Sequence, residues 1–345
     1  MKHYLAADLG GTKILFQITT EQGNVVFEQE VVSEHFSSFD KALAAFLSDF
    51  KRGRYPLNTL NKQIKLKGTV PFKIDSACFA VAGPVSGRNA TITNLPWQIN
   101  ADQLAEQFSI KHVHLCNDFA AVAHGISCLA DDEIITLQQG EPAEAAPRAV
   151  IGAGTGLGQA IMLPENDSWR VLATEGGHTD FAPTDSLQIA LLEHVLERFG
   201  HISYERIVSG VGLVTIYEFL LIHQSHEENA ALRQAMISGD AAASISQFAL
   251  EKQDTIAEQA LDLFIKIYGA QAGNLALTVL PMAGLYIAGG IAAKNVQRFI
   301  DGPFLPAFTA KGKMAELMPK IPVQLILQPK VGLLGAGLLA RQYQV

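Results

Sequence analysis

Asp8 closes a short apolar run and opens a glycine turn, Asp8-Leu9-Gly10-Gly11-Thr12-Lys13, after which Ile14-Leu15-Phe16 resumes the apolar pattern. This sets a carboxylate at a hairpin tip, beside backbone N–H groups able to face an anion. Glycine at 10 and 11 permits φ > 0 and close approach of the backbone to a ligand, while Thr12 and Lys13 offer a hydroxyl and a cation to phosphate oxygens. Taken alone, the turn is equally well explained as an ordinary tight hairpin. The device recurs in the second half, where Ala149-Val150-Ile151 runs into Gly152-Ala153-Gly154-Thr155-Gly156-Leu157-Gly158 and then Gln159-Ala160-Ile161-Met162. Glycines that serve only strand crossing are the alternative there. A polar set accompanies the two turns: Asn117-Asp118, Glu175-Gly176-Gly177-His178-Thr179-Asp180, and Glu205-Arg206. Carboxylates, an amide and an imidazole together suit a polyhydroxylated acceptor, because a hydroxyl donates to a carboxylate and accepts from an amide or ring N–H.

The elements that must position these groups follow from periodicity. Two glycine-tipped hairpins point to a duplicated α/β fold whose lobes face a shared cleft. Asn24–Val32 reads as a third strand and Ser38–Phe50 has helical spacing, so three strands and a helix open the first lobe. Ser76–Ala82 is a buried-type strand that ends in Gly83-Pro84-Val85-Ser86-Gly87. Val113–Cys116 is another, delivering Asn117-Asp118 to its C-terminal end ahead of the helical run Phe119–Ala123, and in open α/β sheets that end binds ligands. Helices over 186–199 and 255–279 alternate with strands near 285–288 and 323–327, and Gly289-Gly290 forms a third glycine turn. Residues 51–73 hold seven Lys or Arg, no acid, two prolines and two glycines, the composition of a solvated insertion.

Several classes are excluded. No stretch reads G-x-x-x-x-G-K-[S/T], and the glycines of 152–158 do not give G-x-G-x-x-G. Gly335-Ala336-Gly337-Leu338-Leu339-Ala340 matches the relaxed dinucleotide pattern, but too little chain follows for the strand with the ribose-binding acid, so these glycines are expected to serve helix packing. With 48% hydrophobic and 17% charged residues the composition is that of a folded globular chain, and its 345 residues allow two domains. A net charge of −8 argues against nucleic acid and anionic membranes as partners and makes any phosphate site local. Asp8 arrives before an apolar leader can form, and no run of about 18 apolar residues follows, so a cytoplasmic location is expected. Cys78, Cys116 and Cys128 read as reduced, buried thiols, and His201 as a helix-end histidine.

Taken in order along the chain, these blocks resemble the bacterial-type ATP-dependent glucokinases of the hexokinase/actin-like ATPase superfamily. The likeness runs through Asp8–Lys13, Ile92-Thr93-Asn94-Leu95-Pro96-Trp97, Asn117-Asp118-Phe119, Gly152–Gly158, Glu175–Pro183, Glu205–Gly210, Ile287–Ile291 and Gly332-Leu333-Leu334-Gly335. It implies an α/β, actin-like (ribonuclease-H-like) ATPase fold of two lobes, residues 1–127 with 328–345 forming a small domain and 128–327 a large one. It further implies that Asn94, Asn117, Asp118, Glu175, His178 and Glu205 hold D-glucose, with Asp118 as catalytic base. Gly10, Gly11, Thr12, Lys13, Gly154, Thr155 and Gly156 would meet the ATP phosphates, Gly289 and Gly290 would lie near the adenosine, and Asp8 would assist Mg²⁺, through water. A homodimer is implied as well. Lys13 departs from the family pattern, which often has Asn there, and 51–73 exceeds the usual length. The zinc-containing relatives carry a clustered Cys motif that three widely spaced cysteines cannot supply.

Two rival readings stay open at this level. A sugar-responsive transcription regulator on the same fold would need a DNA-binding segment ahead of Asp8. An actin-like or chaperone-like ATPase would leave Glu175, His178 and Glu205 without a task. Sequence does not separate glucose from mannose, glucosamine or fructose, nor ATP from ADP or polyphosphate.

Overall fold

The computed structural model describes residues 2–52, 73–93 and 95–342, so Asn94 and most of the basic stretch 51–73 lie outside the described residues. The chain divides into two compact units, Met1–Leu129 with Lys330–Val345, and Ala130–Pro329.

The first unit runs β1 (His3–Leu9), β2 (Lys13–Thr20), β3 (Val25–Val32), α1 (Phe39–Lys51) and β4 (Ser76–Val81). A small meander follows, β5 (Val85–Ser86), β6 (Asn89–Thr91) and β7 (Gln98–Asn100), and then α2 (Ala101–Phe108), β8 (His112–Asn117) and α3 (Asp118–Gly125). Its main sheet has the order β3-β2-β1-β4-β8, antiparallel through the first three strands and parallel from β1 to β8.

The second unit contains β9 (Ile134–Gln138), β10 (Arg148–Ala153), β11 (Leu157–Glu165) and β12 (Ser168–Thr174). Helices α4 (Ser186–Leu196), α5 (Tyr204–Ile207), α6 (Gly210–His223), α7 (Ala230–Ser238), α8 (Ala241–Leu250) and α9 (Thr255–Val279) come next. The unit closes with β13 (Leu285–Ala288), α10 (Gly290–Lys294), α11 (Val296–Asp301), α12 (Phe304–Thr309) and β14 (Val323–Ile326), and α13 (Val331–Gln342) then returns to the first unit. The second sheet is ordered β12-β11-β10-β13-β14-β9. Its first five strands repeat the order and directions of the first sheet, with β9 added antiparallel at the edge. The duplication expected from two glycine hairpins is therefore a duplication of topology.

Strand alternation decides what each face holds. On β1, Leu5, Ala7 and Leu9 enter the core built with α1, where Phe16 stacks on Phe46 at 4.7 Å and Phe27 on Phe46 at 5.1 Å. Tyr4 and Ala6 face the other way, with Cys78 and Ala80 of β4, against Ala121 of α3 and Leu333, Ala336 and Ala340 of α13. Asp8 is next on that same face. The glycines of α13 do serve packing: a Cβ at Gly335 would lie 1.8 Å from the Ala121 carbonyl oxygen, so α13 crosses α3 at backbone distance. In the second unit the apolar α9 is the axis of a core with Tyr217, Phe299, Phe304 and Phe308.

Two local expectations are corrected. The helix from 186 ends at Leu196, three residues early, where Arg198 and Phe199 both donate to the Val195 carbonyl and turn the chain ahead of Gly200. Cys78 alone is buried. Cys116 lies on edge strand β8 and Cys128 beyond α3, both half-buried, and all three thiols are free. None of the described helices is long and apolar enough to cross a membrane.

Candidate active site

Parallel strands end together, and that fact gathers the polar residues of the first unit. Asp8 pairs with Ala80 and Ala80 with Cys116, so the C-terminal ends of β1, β4 and β8 are level. Asp8 and the Asn117-Asp118 step are two strands apart, about 10 Å at ordinary strand spacing. Asn117 ends β8 and caps α3: its Oδ1 accepts the N–H groups of Phe119 (2.9 Å) and Ala120 (3.1 Å). The amide oxygen is thereby committed, and the group left for a ligand is the Nδ2 donor, whose protein contact is a long 3.5 Å approach to the Gly83 carbonyl. Asp118 opens α3 half-buried, with Oδ1 accepting the Phe119 N–H at 2.9 Å.

Asp8 projects toward the start of α13. A Cβ at Gly332 would lie 3.3 Å from its Oδ2, so glycine there leaves the carboxylate room that a side chain would crowd. Burial, with no neighbouring charge to offset it, pushes its pKa from 3.8 to about 6. The nearby cation is engaged elsewhere: Lys13 Nζ lies 2.6 Å from Glu30 Oε1 across β2 and β3, both side chains exposed. The tip itself is closed by Gly10 N–H to the Lys13 carbonyl (2.9 Å) and braced by Ser33, whose N–H meets the Thr12 carbonyl (2.9 Å) and whose hydroxyl meets that of Gly10 (3.3 Å). The N–H groups of Gly11 and Thr12 have no acceptor among the described residues.

The second unit repeats this tip with other supports. Gly154 N–H donates to the Gly156 carbonyl (2.8 Å), Gly210 N–H donates to the Gly154 carbonyl (2.8 Å), and Glu205 Oε2 accepts the Leu157 N–H (2.9 Å). Thr155 is exposed, and its N–H and that of Gly156 are likewise without acceptors among the described residues. Glu205 Oε1 lies 3.8 Å from His178 Nδ1, and the His178 N–H donates to the Glu175 carbonyl at 3.0 Å, so the three residues form one group beside the tip. Glu175 is exposed, with no partner for its carboxylate among the described residues. Tyr204 N–H to the Thr179 carbonyl and Phe181 N–H to the Ile202 carbonyl, both 2.9 Å, hold the two segments together. His201 is not idle either: its Nε2 lies 2.6 Å from Asp180 Oδ1 on the exposed rim. Gly289 and Gly290 follow β13, whose last pair with β10 is Gly152 with Ala288, so their turn adjoins Gly154–Gly156.

The reason for glycine differs from the one expected. Gly10, Gly11, Gly154 and Gly156 do not adopt φ > 0; among the nucleotide-turn candidates only Gly289 does, at +91°. Close approach explains two of the others, since a Cβ on Gly156 would lie 2.4 Å from Glu205 Oε2 and one on Gly10 would lie 3.1 Å from the Lys13 carbonyl oxygen. Residues that sequence reasoning missed are Glu30, Ser33 and Tyr268, and Gly332 was read only as part of a family block, without its contact to Asp8. Their contacts form only on folding, and no local pattern marks them.

A family model described as Glucokinase matches residues 5–343. The chain belongs to the glucokinase family. Among curated relatives, the glucokinase of Nostoc punctiforme is 40% identical over 97% of this chain and 98% of its own, and that of Trichormus variabilis is 41% identical over the same shares. A crystal structure of a glucokinase from an Antarctic psychrotroph superposes with a TM-score of 0.77 at 28% identity, covering 99% of each chain. The fold is that of the actin-like sugar kinases.

Proposed function

We propose that the chain transfers the γ-phosphoryl group of ATP to the C6 hydroxyl of D-glucose, acting in the cytoplasm as a homodimer. Beyond family membership, the observation that carries this reading is the level ending of β1, β4 and β8, which sets the backbone of Asp8 two strands, about 10 Å, from the Asn117-Asp118 step. That span accommodates a phosphoryl group with a hydroxyl on one side of it. Asp118 accepts the C6 proton as the oxygen attacks; in a loose transition state that proton leaves late, so orientation by the α3 N-terminus matters more than basicity. Asn117 donates its amide to a ring hydroxyl. Glu175, His178 and Glu205 read the other hydroxyls, Glu205 through Oε1, because Oε2 is engaged by Leu157. Asn94, outside the described residues, would join them. The unpaired N–H groups at Gly11, Thr12, Thr155 and Gly156, with Lys13 released from Glu30, bind phosphate oxygens, and Gly289 and Gly290 border the adenosine.

Asp8 fits a magnesium role on its own chemistry, as a carboxylate whose burial no neighbouring cation balances. Mg²⁺ is bound by one or two carboxylates plus substrate phosphates and supplies charge neutralisation. Asp8 would hold it through water.

A coupled assay over glucose, mannose, glucosamine and fructose, each with ATP, ADP and polyphosphate, tests the reading. Glucose with ATP should give the highest kcat/KM, and Asp118→Asn should lower kcat by at least ~10²-fold while glucose binding survives. Another sugar or donor outperforming that pair, or a variant retaining above about a tenth of kcat, refutes the corresponding assignment.

A further inference from the structure

Tyr268 lies fully buried on α9, its ring meeting those of Phe264, Phe299 and Phe304 edge-on at 6.2, 5.7 and 5.8 Å. Its hydroxyl leaves this apolar setting for the ends of two strands. It accepts the Ala153 N–H at 3.2 Å, and its single proton has two carbonyl acceptors, Ile151 at 3.1 Å and Ala288 at 3.4 Å. Those groups sit where the β10–β13 ladder runs out, at the pair Gly152 and Ala288. One residue further on, β10 becomes the Gly154-Thr155-Gly156 tip and β13 becomes the Gly289-Gly290 turn. There is no slack between them, since a Cβ on Gly289 would lie 2.3 Å from the Ala153 carbonyl oxygen.

We infer that Tyr268 is a positioning residue for nucleotide, its hydroxyl setting the spacing of the two turns that receive the phosphates and the adenosine. The inference rests on the assignment of those turns to ATP. A phenylalanine keeps every ring contact and removes one oxygen. The Ala153 N–H then loses one acceptor and the Ile151 and Ala288 carbonyls lose one donor, all at the last pair of the ladder, so the strand end loosens there and carries the tip with it. Among the sugar-reading residues Glu205 touches the tip, through the Leu157 N–H on its far side, so the loss should fall mainly on nucleotide and only weakly on glucose.

The full-length Tyr268→Phe variant tests this, with dissociation constants for magnesium AMPPNP and for glucose measured by calorimetry and steady-state constants measured beside them. Phe308→Leu, in the same core but away from the strand ends, serves as the control for lost stability. Tyr268→Phe should weaken the analogue about 5–20-fold and raise KM for ATP in proportion, with glucose affinity and kcat within about twofold. Phe308→Leu should lower Tm comparably without that split. Analogue binding unchanged in Tyr268→Phe, or an equal loss in Phe308→Leu, overturns the inference. A wild-type chain that fails to bind the analogue refutes instead the nucleotide assignment on which it rests.

Discussion

Asn in place of Asp8 should make the ligand-free protein more stable and less active. The carboxylate is raised from 3.8 to about 6 by burial, and no cation faces it because Lys13 is paired with Glu30. For an acid raised on folding, the sign is unfavourable at neutral pH. Below about pH 4 both states are protonated and nothing is lost; between about 4 and 6 the unfolded chain ionises while the native carboxyl does not; above 6 the full penalty stands. A shift of roughly two units corresponds to about 3 kcal/mol. The backbone dipoles at the start of α13 favour the anion by ~0.3–1 kcal/mol, so about 2 kcal/mol is the working figure. Melting curves of wild type and Asp8→Asn, without Mg²⁺, should nearly coincide at about pH 4 and separate by several degrees at pH 7.5, the variant higher. Added Mg²⁺ with nucleotide should narrow the gap by stabilising the wild type alone. A separation that does not change between the two pH values, or a variant less stable at pH 7.5, would refute the account of Asp8 as a carboxylate left uncompensated until the ligand brings a cation.

Asn117→Asp keeps the cap of α3, since a carboxylate serves Phe119 and Ala120 as well as an amide does, but it exchanges the free donor for an acceptor. Glucose kcat/KM should fall by ~10²-fold with Tm within a few degrees, and a large Tm loss would show that the amide serves the fold instead. Gly289→Ala forces a side chain into φ +91° and against the Ala153 carbonyl. Isothermal titration should show ATP affinity reduced at least ~10-fold with glucose affinity retained, and equal loss of both ligands would detach this turn from the nucleotide.

What was legible in the sequence was what depends on near neighbours. A short apolar run ending at Asp8 and a turn of two glycines, with the apolar pattern resuming at once, give a hairpin wherever they occur, and an Asn-Asp step between an apolar strand and a helical run marks a strand end. Boundaries held to within a residue or two at α9, β13 and β14, and failed at α4, where the capping turn at Val195 overrode the periodicity. The chemistry of the glycines was misjudged because room and φ look alike in sequence. Gly156 is glycine for the sake of Glu205, and Gly332 for the sake of Asp8, contacts that span 49 and 324 residues. The phenol of Tyr268 was invisible for the same reason: its partners lie 115 and 117 residues away on β10.

The duplicated tips also show where the two units have diverged. Each presents two N–H groups without acceptors among the described residues, yet the first is braced by Ser33 and the second by Glu205. That second brace has two oxygens with separate duties, Oε2 fixing the backbone at Leu157 and Oε1 remaining for a hydroxyl beside His178. On the roles proposed above, a sugar that orders Oε1 would restrain Oε2 through the same planar group and steady the tip assigned to phosphate. By linkage, phosphate at the tip must favour the sugar by the same factor. On that assignment the coupling between acceptor and donor that a kinase needs would run within one unit, through one carboxylate, before any larger motion is invoked.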